Sequence, residues 1–136
     1  MARRILVAED EALVAALLAD LLEEAGYEVA LAADGEQALE RAAEAEGTGR
    51  RFDVLVTDLN MPRLCGEGLI RAVRARDPGL PVVVVTGSPP PGGVAELRRC
   101  GGGHGPLALL LKPVDTAGLL GTLRRVTAPQ WAAAAD

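Results

Sequence analysis

Four apolar runs in this chain each lead into residues able to do polar chemistry. "RILVA" (4–8) runs into Glu9, Asp10 and Glu11. "VLVTD" (54–58) ends in Asp58, with Asn60 and Pro62 close behind. "PVVVVT" (81–86) ends in Thr86, and "LALLL" (107–111) is followed by Lys112. Singly, each has an ordinary reading: an acidic residue after a strand commonly caps the next helix, and threonine is at home in strands. Jointly they make a donor set. Carboxylates gathered in one place raise one another's pKa unless a cation neutralises them. A few hard oxygen ligands suit Mg2+, which keeps several waters and takes one or two carboxylates together with phosphate oxygens. A lysine close by is a point charge for one phosphoryl oxygen, and a threonine hydroxyl can donate to another. The chemistry these residues could do is to carry a phosphoryl group on a carboxylate.

Such a site needs elements that bring the run ends together. After the first strand (4–8), residues 9–26 change to helical spacing: Leu13, Leu17 and Leu21, with Val14, Leu18 and Leu22, recur every fourth position, and Gly26 is placed as a stop. "EVALA" (28–32) is a second strand. Asp34 can cap the helix over 35–46. "GTGRR" (47–51) is a loop before the third strand, and a helix over 68–76 stops near Asp77-Pro78-Gly79. "PVVVVT" is the fourth strand, "SPPPGG" (88–93) a stiff loop, "VAELRRC" (94–100) a short helix and "GGGHG" (101–105) a connection. "LALLL" is the fifth strand, followed by a helix over 116–126 and a tail over 127–136. Strict β-α alternation with short connections gives an α/β fold, a doubly wound parallel sheet with helices on both faces. Continuous apolar strands suit a sheet covered on both sides. Ligands of such sheets bind outside the carboxyl ends of the strands, at the topological switch point, which is where Glu9, Asp10, Asp58, Thr86 and Lys112 fall.

Composition narrows the function classes. The chain has 136 residues, a domain of ordinary size, and its 49% hydrophobic content supports a core built from Leu, Val, Ile and Ala. A net charge of −5 argues against a nucleic-acid-binding surface. The basic pairs Arg3–Arg4, Arg50–Arg51, Arg98–Arg99 and Arg124–Arg125 read as solvated element ends. Cys65 and Cys100 form no metal or disulfide pattern and read as small, partly buried apolar groups. No leader or bilayer-length apolar segment is visible, so the expected location is cytoplasmic, with no membrane partner.

"ILVAEDE", "VTDLNMP", "VVVVTG" and "LLLKP", in this order, resemble the receiver domains of two-component response regulators over roughly residues 3–126. The resemblance implies a flavodoxin-like, five-stranded sheet of order 2-1-3-4-5. It implies a receiver domain over 1–126; residues 127–136 are too few for an effector domain, so the expectation is a stand-alone receiver or a piece of a longer kinase or regulator. It further implies that Asp58 accepts the phosphoryl group of a phosphohistidine on a sensor histidine kinase or histidine phosphotransfer protein, forming an acyl phosphate. Asp10 would bind Mg2+ directly, Glu9 mainly through water, and Asp58 and the Asn60 backbone carbonyl would join them. Thr86 and Lys112 would each take a phosphoryl oxygen. Pro113, after the lysine, matches a residue whose preceding peptide bond is usually cis in the family. The acidic pair, commonly Asp-Asp, is Glu-Asp here. Asn60, Gly87 and Ser88 border the site and would tune hydrolysis of the acyl phosphate. The protein would catalyse its own phosphorylation and slow dephosphorylation. Its output would be a changed surface for a downstream protein partner, and the resemblance leaves room for a homodimer.

Two departures stand out. The family usually has Tyr or Phe three residues before the lysine, where this chain has Leu109, so the aromatic half of the usual threonine–aromatic switch is missing. "SPPPGG" and "GGGHGP" alter the surroundings of the fourth helix, and the signal is expected to leave there, with Thr86, Leu109 and Pro113 on the switch surface. His104, in a glycine-rich loop, reads as solvated. Two other classes compete. A degenerate receiver would be an unphosphorylated scaffold, although the full residue set is present. A haloacid-dehalogenase-like Mg2+ phosphatase would need a second Asp where Asn60 stands.

Overall fold

The apolar runs become strands because those at the centre of the sheet have two faces to bury. The computed structural model describes residues 3–99 and 105–128. Its strands are β1 (Arg4–Ala8), β2 (Glu28–Ala32), β3 (Val54–Thr57), β4 (Val82–Thr86) and β5 (Leu107–Leu111). They alternate with helices α1 (Ala12–Glu24), α2 (Gly35–Gly47), α3 (Gly66–Arg76), α4 (Gly93–Leu97) and α5 (Thr116–Thr127). The strands pair in parallel in the order β2-β1-β3-β4-β5, as the resemblance implies.

Successive residues of a strand point to opposite faces, and the core divides accordingly. Ile5, Val7, Val54, Val56, Val83 and Val85 pack under α1 and α5 with Leu18, Leu22, Leu119 and Leu123. Leu6, Ala8, Leu55, Val82 and Val84 pack on the other side with Ala38, Leu69, Ile70 and Leu97 of α2, α3 and α4. Each fully buried Leu or Val contributes about 1.5–3 kcal/mol relative to exposure, which makes these two layers the main source of stability. At the end of the sheet opposite the site, Arg74 of α3 is buried. Its guanidinium donates to the Leu80 carbonyl from Nε (3.2 Å) and Nη2 (3.0 Å), and Nη2 also reaches the Pro106 carbonyl. Burial, with Arg98 nearby, pulls its pKa down to about 10, so it remains a cation at neutral pH.

Several sequence expectations shift. The first helix starts at Ala12, because Glu9–Glu11 form the connection after β1. Of its leucine rows, Leu18 and Leu22 are buried, while Leu13 (81%) and Leu17 (69%) stand in solvent. The third helix starts at Gly66, two residues early. Cys65 is exposed, contrary to expectation, because as N-cap of α3 it lies outside the packed stripe. Asp34 caps α2 as read, accepting from Gln37 N–H at 2.8 Å. Cys100, His104 and residues 129–136 lie outside the described residues.

Candidate functional site

The site is assembled by backbone pairing that runs one residue past each strand. Glu9 N–H donates to the Ala32 carbonyl (3.0 Å) and Asp58 N–H to the Ala8 carbonyl (3.1 Å). Lys112 N–H donates to the Thr86 carbonyl (2.9 Å). The chain leaves β1 for β2 on one side and lies against β3 on the other, so Glu9 and Asp58 emerge together at the switch point.

There the side chains converge on one ammonium. Lys112 Nζ lies 2.8 Å from Glu9 Oε1 and 2.8 Å from Asp58 Oδ2, with Glu11 Oε1 farther off at 3.9 Å. The other oxygen of each carboxylate faces backbone. Asp58 Oδ1 accepts from Leu59 N–H (2.6 Å) and Asn60 N–H (3.3 Å), and Glu9 Oε2 from Glu11 N–H (3.1 Å). Asp58 and Glu9 are buried, whereas Asp10 and Asn60 are exposed at the rim. Thr86 is completely buried and its hydroxyl accepts from Ser88 N–H at 3.2 Å. The Lys112–Pro113 bond is cis, with Pro113 in solvent. Leu109 is half-buried against the α2–α4 side of the core, in the same cluster as Val94 of α4. A Cβ on Gly87 would meet nothing within 4 Å, so the site is open on that side.

Charge balance separates the two buried carboxylates. Burial is the largest influence on both. For Glu9 it prevails, and the carboxyl lies above its ordinary range despite Lys112 and the Glu11 N–H. For Asp58 the Lys112 hydrogen bond and the N–H groups of Leu59 and Asn60 outweigh burial and hold the carboxyl below that range. Lys112, drawn down by burial and up more strongly by Asp58 and Glu9, is raised. Asp58 is therefore ionised and oriented at neutral pH, as a nucleophilic carboxylate must be. Carboxylate oxygens of Glu9, Asp10 and Asp58 come within 4.8 Å of one another. Three hard oxygen donors, two of them buried, fit a divalent ion such as Mg2+.

The sequence model of the response regulator receiver domain matches residues 5–124. The chain belongs to this family. It is a receiver domain of two-component signalling. It is 36% identical over 118 residues to a response regulator receiver protein of Anaeromyxobacter sp. (strain Fw109-5), covering 87% of this chain and 46% of that one. Among solved structures, chemotaxis protein CheY4 of Vibrio cholerae superimposes with a TM-score of 0.81 at 32% identity, over 93% of this chain and 99% of the other. The receiver domain of the hybrid histidine kinase CckA gives a TM-score of 0.72 at 33% identity, over 92% and 99%. The chain spans less than half the length of the first curated relatives it matches.

This receiver domain also holds features that sequence reading missed. Gly66 is required by packing: a Cβ there would lie 2.3 Å from the Asp58 carbonyl oxygen and 2.7 Å from Leu59 Cα. Its place just before an apolar helical run was the available signal. Arg63 reaches back to Asp34, and nothing in the sequence pattern links those two. An apolar cavity of about 430 Å³ opens between α2 and α3, floored by Leu6, Phe52 and Leu55, and none of Glu9, Asp10, Asp58, Asn60, Thr86 and Lys112 lines it. Among the described residues no helix is long and apolar enough to cross a membrane.

Proposed function

We propose that this receiver domain takes a phosphoryl group onto Asp58 from a phosphohistidine on a sensor histidine kinase or histidine phosphotransfer protein. The observation that carries the reading is the Asp58 carboxylate itself: ionised, fixed by two N–H donors on Oδ1 and facing Lys112 Nζ at 2.8 Å through Oδ2. A carboxylate oxygen attacks phosphorus, an O–P bond forms as the P–N bond breaks, and the imidazole departs and takes a proton from solvent. Lys112 turns from Asp58 to the incoming phosphoryl oxygens, and the Thr86 hydroxyl donates to another of them. Glu9, Asp10, Asp58 and the Asn60 carbonyl are the groups that would hold Mg2+. When bound, Mg2+ supplies positive charge against the phosphoryl oxygens. The rest of the catalysis is positioning, as phosphoryl transfer requires little covalent work from the protein.

The donor is a macromolecule, and exposed Leu13 and Leu17 offer it a foothold on α1, close to Glu9–Glu11. The output surface is the α4–β5 side, with Leu109 and Pro113, and Thr86, buried beneath it, acts on that surface from inside. With leucine at 109, the signal passes through the backbone of residues 88–99 rather than through a rotating aromatic ring. The deciding experiment is Mg2+-dependent labelling by acetyl phosphate, wild type against Asp58→Asn. Labelling of wild type and loss in the variant are expected; equal labelling of both removes Asp58 from the account.

A further inference from the structure

The loop that carries Asp58 is tied to a part of the fold that has no role in the chemistry above. It runs from Asp58 to Gly66 and closes on itself through Gly66 N–H to the Leu59 carbonyl at 2.9 Å. Within it, Leu64 N–H donates to the Pro62 carbonyl (2.8 Å) across Arg63, whose φ is 69°. That is a γ-turn of the positive-φ kind, the rarer and more strained form. Arg63 is the one non-glycine residue with positive φ among those described. A residue stays in such a conformation only where its surroundings over-determine it. Here the determinant is Asp34, at the start of α2. Arg63 Nε (2.8 Å) and Nη2 (2.7 Å) both reach Asp34 Oδ2, while Asp34 Oδ1 caps the helix through Gln37 N–H. The carboxylate is buried, at 7% side-chain exposure, although the arginine is 60% exposed. Next to it the backbones interlock: a Cβ on Gly35 would fall 2.2 Å from the Leu64 carbonyl oxygen.

We propose that the Arg63–Asp34 pair positions the phosphoacceptor loop, holding the segment from Asp58 to Gly66 against the first turn of α2 and so setting the affinity of the acidic site for a divalent cation. This rests on the proposed function, because it assumes that Asp58 and Asn60 are metal ligands. Neither Arg63 nor Asp34 is among the residues that would hold the ion or the phosphoryl group. Their part is to fix where Asn60 presents its carbonyl relative to Glu9 and Asp10. Supporting groups behind metal ligands commonly change affinity by about 10–100-fold, and a pair acting through the backbone belongs at the lower end.

The test is isothermal titration calorimetry of the full chain with MgCl2 alone, for wild type, Arg63→Ala, Arg63→Lys, Asp34→Asn and the double variant Arg63→Ala/Asp34→Asn. Arg63→Ala and Asp34→Asn should each weaken Mg2+ binding about tenfold. Asp34→Asn keeps an acceptor for the helix cap, so its loss reports on the pair. The double variant should bind no more weakly than either single one, since both remove the same contact. Arg63→Lys should fall between, because an ammonium offers no two-nitrogen fork. It also gives a folded comparison if Arg63→Ala does not fold. A merely structural pair would lower the melting temperature and leave Mg2+ affinity at 25 °C unchanged. Wild-type affinity in folded Arg63→Ala, or in folded Arg63→Lys and Asp34→Asn, overturns the positioning role alone. A wild type that neither binds Mg2+ nor is labelled by acetyl phosphate overturns the phosphoacceptor reading as well.

Discussion

Replacing Lys112 with Met tests the electrostatics of the site directly. The substitution keeps an unbranched side chain of similar length and removes the ammonium that faces Glu9 and Asp58 at 2.8 Å each. At that separation, each contact is worth about 6 kcal/mol of Coulomb attraction at an effective dielectric constant of about 20. Most of this is offset by the cost of taking the charges out of water. Breaking a buried pair from one side costs about 3–5 kcal/mol, and Lys112 keeps 19% of its side-chain exposure, which favours the lower end. We therefore expect a loss of about 3 kcal/mol in urea unfolding at neutral pH, in EDTA, or about 10 °C in Tm.

The pH dependence carries the sign. Without Lys112, the carboxyl of Asp58 moves up, and that of Glu9, already above its ordinary range, moves further. A carboxyl with a native pKa above its unfolded value destabilises the fold when ionised. That cost is full above the native pKa and disappears as the pH falls through it to the ordinary carboxylate range. The gap between wild type and variant should therefore be widest at neutral pH, narrow through the ordinary carboxylate range, and close only below it, where Asp58 of the wild type, held under that range, also protonates. Equal stability at neutral pH, or a gap that does not narrow in acid, would falsify the picture of two buried ionised carboxylates sharing one lysine.

Other expectations follow from single contacts. Gly66→Ala drives a methyl into the Asp58 carbonyl and Leu59 Cα; it should cost about 1–3 kcal/mol by urea melt and slow acetyl phosphate labelling as the acceptor loop shifts. Arg74→Leu leaves the Leu80 and Pro106 carbonyls without the guanidinium; about 2–4 kcal/mol of stability should be lost, with Mg2+ binding at the far end of the sheet unchanged in calorimetry. Leu13→Gln with Leu17→Gln alters two exposed positions; stability should stay within about 0.5 kcal/mol, labelling by acetyl phosphate should be unaffected, and transfer from a phosphorylated histidine kinase should slow at least several-fold.

What the sequence revealed and what it hid divide along physical lines. β1, β2 and β5 were legible to the residue, because continuous apolar runs bounded by charges or turns have one sensible fate in a two-faced sheet. Glu9, Asp58, Thr86 and Lys112 were legible as strand-end residues for the same reason. The start of α1 was not: acidic residues suit the first turn of a helix, but the Glu9 side chain is engaged by Lys112 and Glu11 N–H before the helix begins. The start of α3 was hidden because Gly66 looks like a breaker until the missing Cβ is seen to admit the Asp58 backbone. Leu13 and Leu17 continued the helical spacing without facing the core, since one stripe of α1 already fills the space over the sheet. The Arg63–Asp34 link joins two loops 29 positions apart with no periodicity to announce it.

The ammonium that closes the site comes from the last strand. Lys112 and Glu9 are separated by 103 positions, so their contact is one of the least local in the fold and costly to close before the sheet is in place. A chain emerging from the ribosome can form β1, β2 and β3 and present both carboxylates well before their cation exists. Until β5 docks on β4, those carboxylates lack the group that compensates their burial, and this end of the sheet has reason to stay hydrated and loose. Under the proposed function, competence to accept a phosphoryl group requires β5 in place, so labelling by a small donor during refolding would report on the docking of β5.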